Sequence, residues 1–210
     1  MTRKFTSEEE ECEEEEMEDE EAMVFEGAEE EASALIGLCG EINEECLKEV
    51  AYALLTLNGG KVLVDEEDDF EDVCDIEMFI SSAGGTVSDM FAIYDLMQTV
   101  KENRDIATYG YGKVASAAVP LLAGGTVGKR YISKHTRVML HHCSSSTGGP
   151  HPNIRAGLNE LKKVEEMMVQ LLAENTNLSV GELYNIFSNN TDEYFSAEEA
   201  LEMGIVDKII

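Results

Sequence analysis

The chain has 210 residues and a formal net charge of −29, and 43% of its residues are hydrophobic. This length suits one domain with a sizeable core, together with an additional segment. The negative charge argues against nucleic acid as a partner, because an acidic surface repels phosphates.

Neither the apolar runs nor the cysteines indicate a membrane or secreted protein. No apolar run approaches the roughly 20 residues that cross a bilayer, and the N-terminus lacks an apolar signal core. Five cysteines form an odd count without a CxxC pair, so we expect reduced thiols and no metal or disulfide. We therefore expect a cytoplasmic protein that does not contact a membrane.

The negative charge is concentrated in two segments. Residues 1–33 contain sixteen acidic residues against Arg3 and Lys4, and residues 61–75 contain eight against Lys61. Runs such as Glu8–Glu11 repel themselves and cannot form a core, which predicts a disordered acidic tail over 1–33. A solvated tail and an interaction or gating role are both compatible with this composition.

After the tail, the pattern alternates between strands and helices. Ala34–Leu38 is typical of a short buried strand, and Asn43 can cap a helix that ends at Gly59. The strand predicted over Asp75–Ser81 is followed by a turn at 83–85 and a second helix. The apolar positions of the two helices are Leu47, Val50, Ala51, Leu54 and Leu55, then Val87, Met90, Phe91, Tyr94 and Met97.

The second half continues this alternation. Strands are predicted over Ile106–Tyr111 and Arg137–His141, with a small apolar helix over 116–122 between them. Residues 143–153 are typical of a loop, and a long helix follows from Ile154. Two capping boxes then predict helix starts, at Ser179 with Glu182 and at Ser196 with Glu199.

This order of elements predicts an α/β domain with a largely parallel sheet. Ligand sites in such sheets lie beyond the carboxyl ends of the strands. Gly84-Gly85, Ser116 and His141 all fall at those ends.

Ser116, His141 and Asp192 stand in settings that suit a serine-protease triad. A serine hydroxyl needs a histidine to take its proton and a carboxylate to orient that histidine. With Ser116 in the first turn of its helix, the N–H groups of Ala117 and Gly85 could form an oxyanion hole. Backbone donors of this kind stabilise the negative oxygen of the tetrahedral intermediate.

Each position also has a purely structural interpretation. Ser116 could allow close helix packing, His141 could bind backbone, Asp192 could cap a turn, and Gly84-Gly85 could form a tight turn. His142 is a rival base, and strand periodicity does not choose between it and His141, because neighbouring side chains point to opposite faces.

Several motifs, in order from about Ala34 to Ile210, resemble the ClpP peptidase family, the proteolytic subunit of Clp proteases. They are Leu38-Cys-Gly-Glu-Ile42, Ser82-Ala-Gly-Gly-Thr-Val87, Ala92-Ile-Tyr-Asp-Leu-Met97, Gly112-Lys-Val-Ala-Ser116, Gly128-Lys-Arg130, Arg137-Val-Met-Leu-His141 and Ser196-Ala-Glu-Glu-Ala-Leu-Glu-Met-Gly-Ile-Val-Asp207.

The resemblance implies a ClpP/crotonase-like fold of repeated β-α units over 34–210, with a protruding handle at about 143–175. It favours His141 over His142, supports Ser116 and Asp192, and implies oxyanion donors at Gly85 and Ala117. It also implies seven-membered rings, two of them stacked around a chamber. Unfolded polypeptides would be fed to that chamber by a Clp-type AAA+ unfoldase, which uses ATP, while the peptidase itself would bind no cofactor, nucleotide or metal.

The chain departs from the family pattern at several positions. Ala83 replaces a proline, Lys113 replaces a glutamine near the expected site, and His142-Cys143 replaces Gln-Pro. Thr191 stands where an arginine often contributes to the contact between rings, and Glu77 replaces an aromatic residue of the unfoldase-docking groove. The acidic tail replaces a short axial loop, and residues at about 58–74 resemble an insertion.

The sequence thus predicts a self-compartmentalised serine endopeptidase with an acidic tail at its pore. Two alternatives remain open, a non-catalytic ring subunit that pairs with an active homologue and a specialised protease, such as a capsid-maturation enzyme, that acts without an unfoldase.

Overall fold

Within residues 34–59, 74–189 and 191–210, which the computed structural model describes, the chain forms seven strands and six helices. In chain order they are β1 (Ala34–Ile42), α1 (Glu44–Leu57), β2 (Ile76–Gly85), α2 (Val87–Lys101), β3 (Ile106–Ala115), α3 (Ala118–Ala123), β4 (Arg130–Ile132), β5 (Arg137–Leu140), α4 (His151–Asn175), α5 (Val180–Ser188), β6 (Glu193–Phe195), α6 (Ala197–Glu202) and β7 (Lys208–Ile209). The predicted tail and most of the predicted insertion at about 58–74 lie outside the described residues.

The strands form one sheet that is mostly parallel, as the sequence predicted. Its main path runs β1-β2-β3-β4-β7, and every neighbouring pair on that path is parallel. The end of β3 also pairs in parallel with β5, and β5 pairs antiparallel with β6. The sheet therefore branches at β3, and the branch carries the residues expected at the site.

One face of the sheet forms the core. Ala34, Ile36 and Leu38 of β1 are buried, whereas the residues between them are exposed, which is the period of two expected for a half-covered strand. Helices α1, α2 and α3 supply buried partners, among them Leu54, Met90 and Leu121. Fully burying each such side chain contributes about 1.5–3 kcal/mol.

The predicted helix caps are confirmed. The Asn43 side chain accepts a hydrogen bond from the Cys46 N–H at 3.0 Å, at the start of α1. Both capping boxes are present, Ser179 with Glu182 at α5 and Ser196 with Glu199 at α6. No helix within the described residues is long and apolar enough to cross a membrane.

Several boundaries differ from the predictions: β1 and β3 extend to Ile42 and Ala115, β5 ends at Leu140, and three further differences lie near the expected site. β2 continues through the turn expected at 83–85, since Gly84 and Gly85 still pair with Glu41 and Ile42 of β1 after a register shift. Ser116 lies before α3 and not in its first turn, which corrects that prediction. α4 begins at His151, inside the expected loop, with a proline in its first turn, where the missing N–H needs no partner.

Candidate active site

Ser116 occupies a sharp connection between β3 and α3. Its φ of 54° is the only positive φ of a non-glycine residue within the described part of the chain. The Ser116 N–H donates to the Met139 carbonyl at 2.8 Å, and its own carbonyl accepts from the Val119 N–H at 3.0 Å. The surrounding hydrogen bonds thus hold a conformation that costs about 1–3 kcal/mol and that is concentrated at functional sites.

Ser116 packs against Gly84, where a side chain would not fit. A Cβ at position 84 would lie 2.7 Å from the Ser116 Cβ and 2.9 Å from the Ala117 nitrogen, and the φ of Gly84 is +92°. Gly85 has a φ of +154°, and a Cβ there would collide with the backbone of Ile42. The glycine pair is therefore required by close backbone packing against the serine turn and against β1.

His141 contacts Ser116 directly. Its Nε2 lies 2.8 Å from the Ser116 Oγ, within the range of a hydrogen bond. The side chain of His142 lines the same cavity, and its ring centroid is 6.0 Å from that of His141. Of these two histidines, only His141 is hydrogen-bonded to the hydroxyl.

Asp192 lies on the other side of the His141 ring. Its Oδ1 is 3.6 Å from the His141 Nδ1, which is within ion-pair distance but longer than a hydrogen bond. The Tyr194 hydroxyl donates to the Asp192 Oδ2 at 3.4 Å. The aspartate side chain is 47% exposed and that of His141 is 29% exposed, so the carboxylate is the more solvent-exposed member of the pair.

Strand β5 positions all three side chains. Ala115, just before the serine, pairs with Met139, and His141 follows the last residue of β5. On the opposite edge, Leu140 pairs with Glu193, which places Asp192 beside the histidine. Three distant parts of the chain therefore meet at the carboxyl end of one four-residue strand.

A cavity of about 230 Å³ opens beside the hydroxyl. Its polar wall includes Gly85, Ser116 and His141, and its apolar wall consists of Val87, Leu140, Met168 and Phe187. Ala117 follows Ser116 directly and is fully buried, with its nitrogen against the bare face of Gly84. The cavity can hold an uncharged apolar group next to the serine.

Cys143 lines this cavity too but is a poor candidate nucleophile. Burial, reinforced by the charge of Glu165, raises the pKa of Cys143 to about 11, which keeps the thiol protonated at neutral pH. Within the described residues, no group of three or more His, Cys, Asp or Glu side chains is arranged to hold a metal ion.

Two of the unusual residues lie elsewhere. Lys113, expected near the site, is exposed on β3, pairs in register with Arg137 and does not line the cavity. Glu77 accepts a hydrogen bond from the Tyr109 hydroxyl at 3.2 Å. Desolvation, together with the charge of Glu77, raises the pKa of Tyr109 to about 12.

The sequence did not predict the largely buried ion pair between Arg130 and Asp207 near the C-terminus. The Arg130 Nη2 lies 2.6 Å from the Asp207 Oδ1, and the Arg130 Nε lies 2.8 Å from Oδ2. The same guanidinium donates to the carbonyls of Ala123 and Asn175. Both residues lie within motifs of the family resemblance, but no local signal links residues 77 positions apart.

The fold is thus an α/β fold with a branched, largely parallel sheet that brings a serine and a histidine together at the carboxyl ends of adjoining strands. A family model described as Clp protease matches residues 29–210. The chain therefore belongs to the Clp protease family.

The relatives carry consistent names. ATP-dependent Clp protease proteolytic subunit 2 of Bifidobacterium longum is 39% identical over 136 residues, which cover 65% of this chain and 64% of the relative. The protein of the same name from Corynebacterium diphtheriae is also 39% identical, over 65% of this chain and 66% of the relative. ATP-dependent Clp protease proteolytic subunit 1 of Corynebacterium jeikeium is 34% identical over 84% of this chain and 86% of the relative. The first two alignments span slightly less than two thirds of the relatives' length.

Proposed function

We propose that this chain is a serine endopeptidase that cleaves unfolded polypeptides, with Ser116 as nucleophile, His141 as base and Asp192 as the residue that orients the histidine. The observation that carries the proposal is the 2.8 Å contact between the Ser116 Oγ and the His141 Nε2 beside a cavity. The membership in the Clp protease family supports the same conclusion.

In the proposed mechanism, the His141 Nε2 takes the hydroxyl proton as the Ser116 Oγ attacks the scissile carbonyl carbon. The negative oxygen that forms is stabilised by the N–H groups of Gly85 and Ala117. His141 then gives its proton to the leaving amine, and an acyl-enzyme remains on Ser116. Water, deprotonated by His141, attacks the ester carbon; the bond to the Ser116 Oγ then breaks, His141 returns the proton to that oxygen, and the acid product leaves. Each lost oxyanion donor typically costs about 2.7–4 kcal/mol of transition-state stabilisation.

The segment after His141 is suited to bind an extended substrate. Residues 143–149 make no backbone hydrogen bond within the described part of the chain, and Cys143 and Ser144 line the cavity beside Ser116. A polypeptide that lies along this segment could pair with its free N–H and C=O groups as an added strand. Such pairing requires an unfolded substrate, since a folded chain has used the same groups internally.

Assembly into seven-membered rings, two of them stacked, belongs to this proposal. Ile154 and Leu158, one turn apart on α4, are 37% and 51% exposed. Neighbouring exposed apolar side chains on one helix face are compatible with an interaction surface. We also propose a Clp-type AAA+ unfoldase as the partner that uses ATP to deliver substrate in the cytoplasm, with no cofactor bound by this chain.

A second candidate is a non-catalytic ring subunit that pairs with an active homologue. The 3.6 Å separation between His141 and Asp192 favours it, because a triad at rest usually has a hydrogen bond there. Thr191, which replaces an arginine beside the aspartate, favours it as well. A protease of the same fold that acts without an unfoldase differs from both in needing no ATP.

Hydrolysis of internally quenched peptides tests these candidates. The full chain is measured alone and with a Clp-type unfoldase and ATP, beside Ser116→Ala and a matched control, Ser144→Ala, whose serine lines the same cavity. We expect hydrolysis that Ser116→Ala abolishes and Ser144→Ala retains. An absence of hydrolysis under both conditions would contradict the peptidase and favour the non-catalytic subunit. Cleavage of a folded protein without ATP would identify the specialised protease.

A further inference from the structure

A second cavity, of about 790 Å³, adjoins the first. The two cavities share Gly85, Val87, Cys143 and Ser144 as walls. Segment 143–147 borders the second cavity on one side, and α4 borders it on the other. A polypeptide with its scissile bond at Ser116 would therefore pass into this second cavity.

The walls of the second cavity combine an apolar surface with one charge. Phe91, Leu161, Val164 and Met167 supply the apolar surface. Among the described residues that line it, Glu160 is the only charged one, and no cation accompanies it. Lysine and arginine side chains have the matching form, because an aliphatic stem packs on apolar surface while the charged end reaches a carboxylate.

We propose that the second cavity is a substrate subsite in which Glu160 selects a lysine or arginine that flanks the apolar residue held beside Ser116. This inference rests on the proposed peptidase function and extends it to the class of substrate. It assigns recognition to two neighbouring pockets, one apolar and one acidic, and hence to polypeptides in which apolar and basic residues lie close together.

Two other occupants are less compatible with these walls. An acidic side chain would lie against Glu160 and would be repelled. A purely apolar side chain would fill the aliphatic part but leave the carboxylate without a partner. Glu165 strengthens the same bias, since its charge acts on Cys143, which is a wall of both cavities.

Binding to the full-length Ser116→Ala variant tests the proposal without turnover. Fluorescein-labelled decapeptides contain one leucine in a background of glycine, serine and alanine. Lysine, methionine or glutamate is placed, one peptide at a time, at each of the three positions before and the three positions after the leucine. Methionine matches the stem of lysine but lacks its charge. Fluorescence anisotropy gives the Kd of each peptide at low and high salt.

We expect lysine to bind about two- to fivefold more tightly than methionine at one or more positions, the range typical of an exposed ion pair. Glutamate should bind more weakly than either, and high salt should reduce the differences. Glu160→Gln should bring the lysine-to-methionine ratio close to one. Glu166→Gln is the matched control, because it removes the same charge from an exposed position of α4 that does not line the cavity.

Three outcomes would overturn the proposal. The first is a lysine-to-methionine affinity ratio that Glu160→Gln leaves unchanged. The second is an equal change of this ratio in Glu160→Gln and Glu166→Gln, which would indicate only the general negative charge of the protein. The third is that no peptide binds. Failure of the peptidase function is recognised separately, by the absence of fluorophosphonate labelling at Ser116 in the unmodified chain. Labelling of Ser116 without selectivity for lysine would contradict only the proposed subsite. Selectivity for lysine without labelling would contradict the peptidase function and would indicate a cleft that only binds basic polypeptides.

Discussion

Two aspartates near the C-terminus are each paired with a basic side chain, but the two pairs differ in distance and in exposure to solvent. Asp207 lies 2.6 Å from Arg130, and their side chains are 20% and 8% exposed. Asp192 lies 3.6 Å from His141, and their side chains are 47% and 29% exposed. The first, closed pair is in close contact and largely buried, whereas the second, open pair is more widely separated and more exposed to solvent.

The difference separates a contact that holds the fold from one that belongs to the proposed catalytic site. Arg130 joins β4 to the ends of α3 and α4 through carbonyl contacts, so its pair with Asp207 fixes the frame of the sheet. Asp192 directly precedes the three-residue strand β6, which pairs with β5, and its side chain is 47% exposed. The closed pair therefore joins elements of the fold, whereas the open pair lies at the proposed site.

The largest effect is expected from breaking the closed pair. Arg130→Met leaves Asp207 partly buried without its cation, and we expect the free energy of unfolding to fall by about 3–5 kcal/mol. Lys48→Met is the matched control, because the Lys48–Glu44 pair is 71% and 79% exposed and contributes less than about 1 kcal/mol. Urea unfolding followed by circular dichroism measures both. An equal loss of unfolding free energy in Arg130→Met and Lys48→Met would contradict the conclusion that the Arg130–Asp207 pair is specially important for the fold.

Breaking the open pair should affect catalysis and not stability. Asp192→Asn is expected to lower kcat/KM by about 10²–10³-fold, less than Ser116→Ala, because the aspartate only orients the base. The free energy of unfolding should change by less than about 0.5 kcal/mol, as for other exposed substitutions. Peptide hydrolysis and urea unfolding of the same samples give both numbers. Unchanged kcat/KM would show that Asp192 has no role in the reaction.

Gly84→Ala tests the packing beneath the serine. The new Cβ would lie 2.7 Å from the Ser116 Cβ at a φ of +92°, so we expect a loss of about 2–3 kcal/mol in stability and at least about tenfold in kcat/KM. Gly37→Ala is the control, because nothing lies within 4 Å of its added Cβ and its φ is not positive. A Gly84→Ala variant as stable and active as Gly37→Ala would contradict the close approach.

The smallest effect concerns pH. Burial acts to raise the pKa of Asp207, but the hydrogen bond and charge of Arg130, with the N–H groups of Gly128 and Arg130, outweigh it and hold that pKa below its usual range. A lowered pKa contributes stability above the unfolded value of about 3.9, and this contribution is lost as the pH falls through the folded value. Between pH 5 and pH 2, stability should thus fall more steeply in the unmodified chain than in Arg130→Met. Parallel curves from urea unfolding would contradict this.

Local patterns predicted the parts of the fold that local energies determine. Asn43 and the two capping boxes mark helix starts because a side chain within three residues satisfies the free N–H groups. The strands β4, β6 and β7 have only two or three residues, too few to show a period, and were not predicted.

The finer geometry of the site depends on contacts between distant residues. The positive φ of Ser116 is held by Met139, which no propensity of the serine turn reveals. Strand alternation could not choose between His141 and His142, partly because β5 ends at Leu140, before either of them. The Arg130–Asp207 pair joins residues that only the folded sheet brings together.

The central claim is that Ser116 is an activated nucleophile, and fluorophosphonate labelling read by intact mass tests it most directly. The unmodified chain is labelled beside Ser116→Ala, His141→Ala and Ser144→Ala, alone and after addition of a Clp-type unfoldase. The account predicts one adduct in the unmodified chain and in Ser144→Ala, and none in the other two variants. An unlabelled chain under every condition, or an adduct that persists in Ser116→Ala, would contradict it.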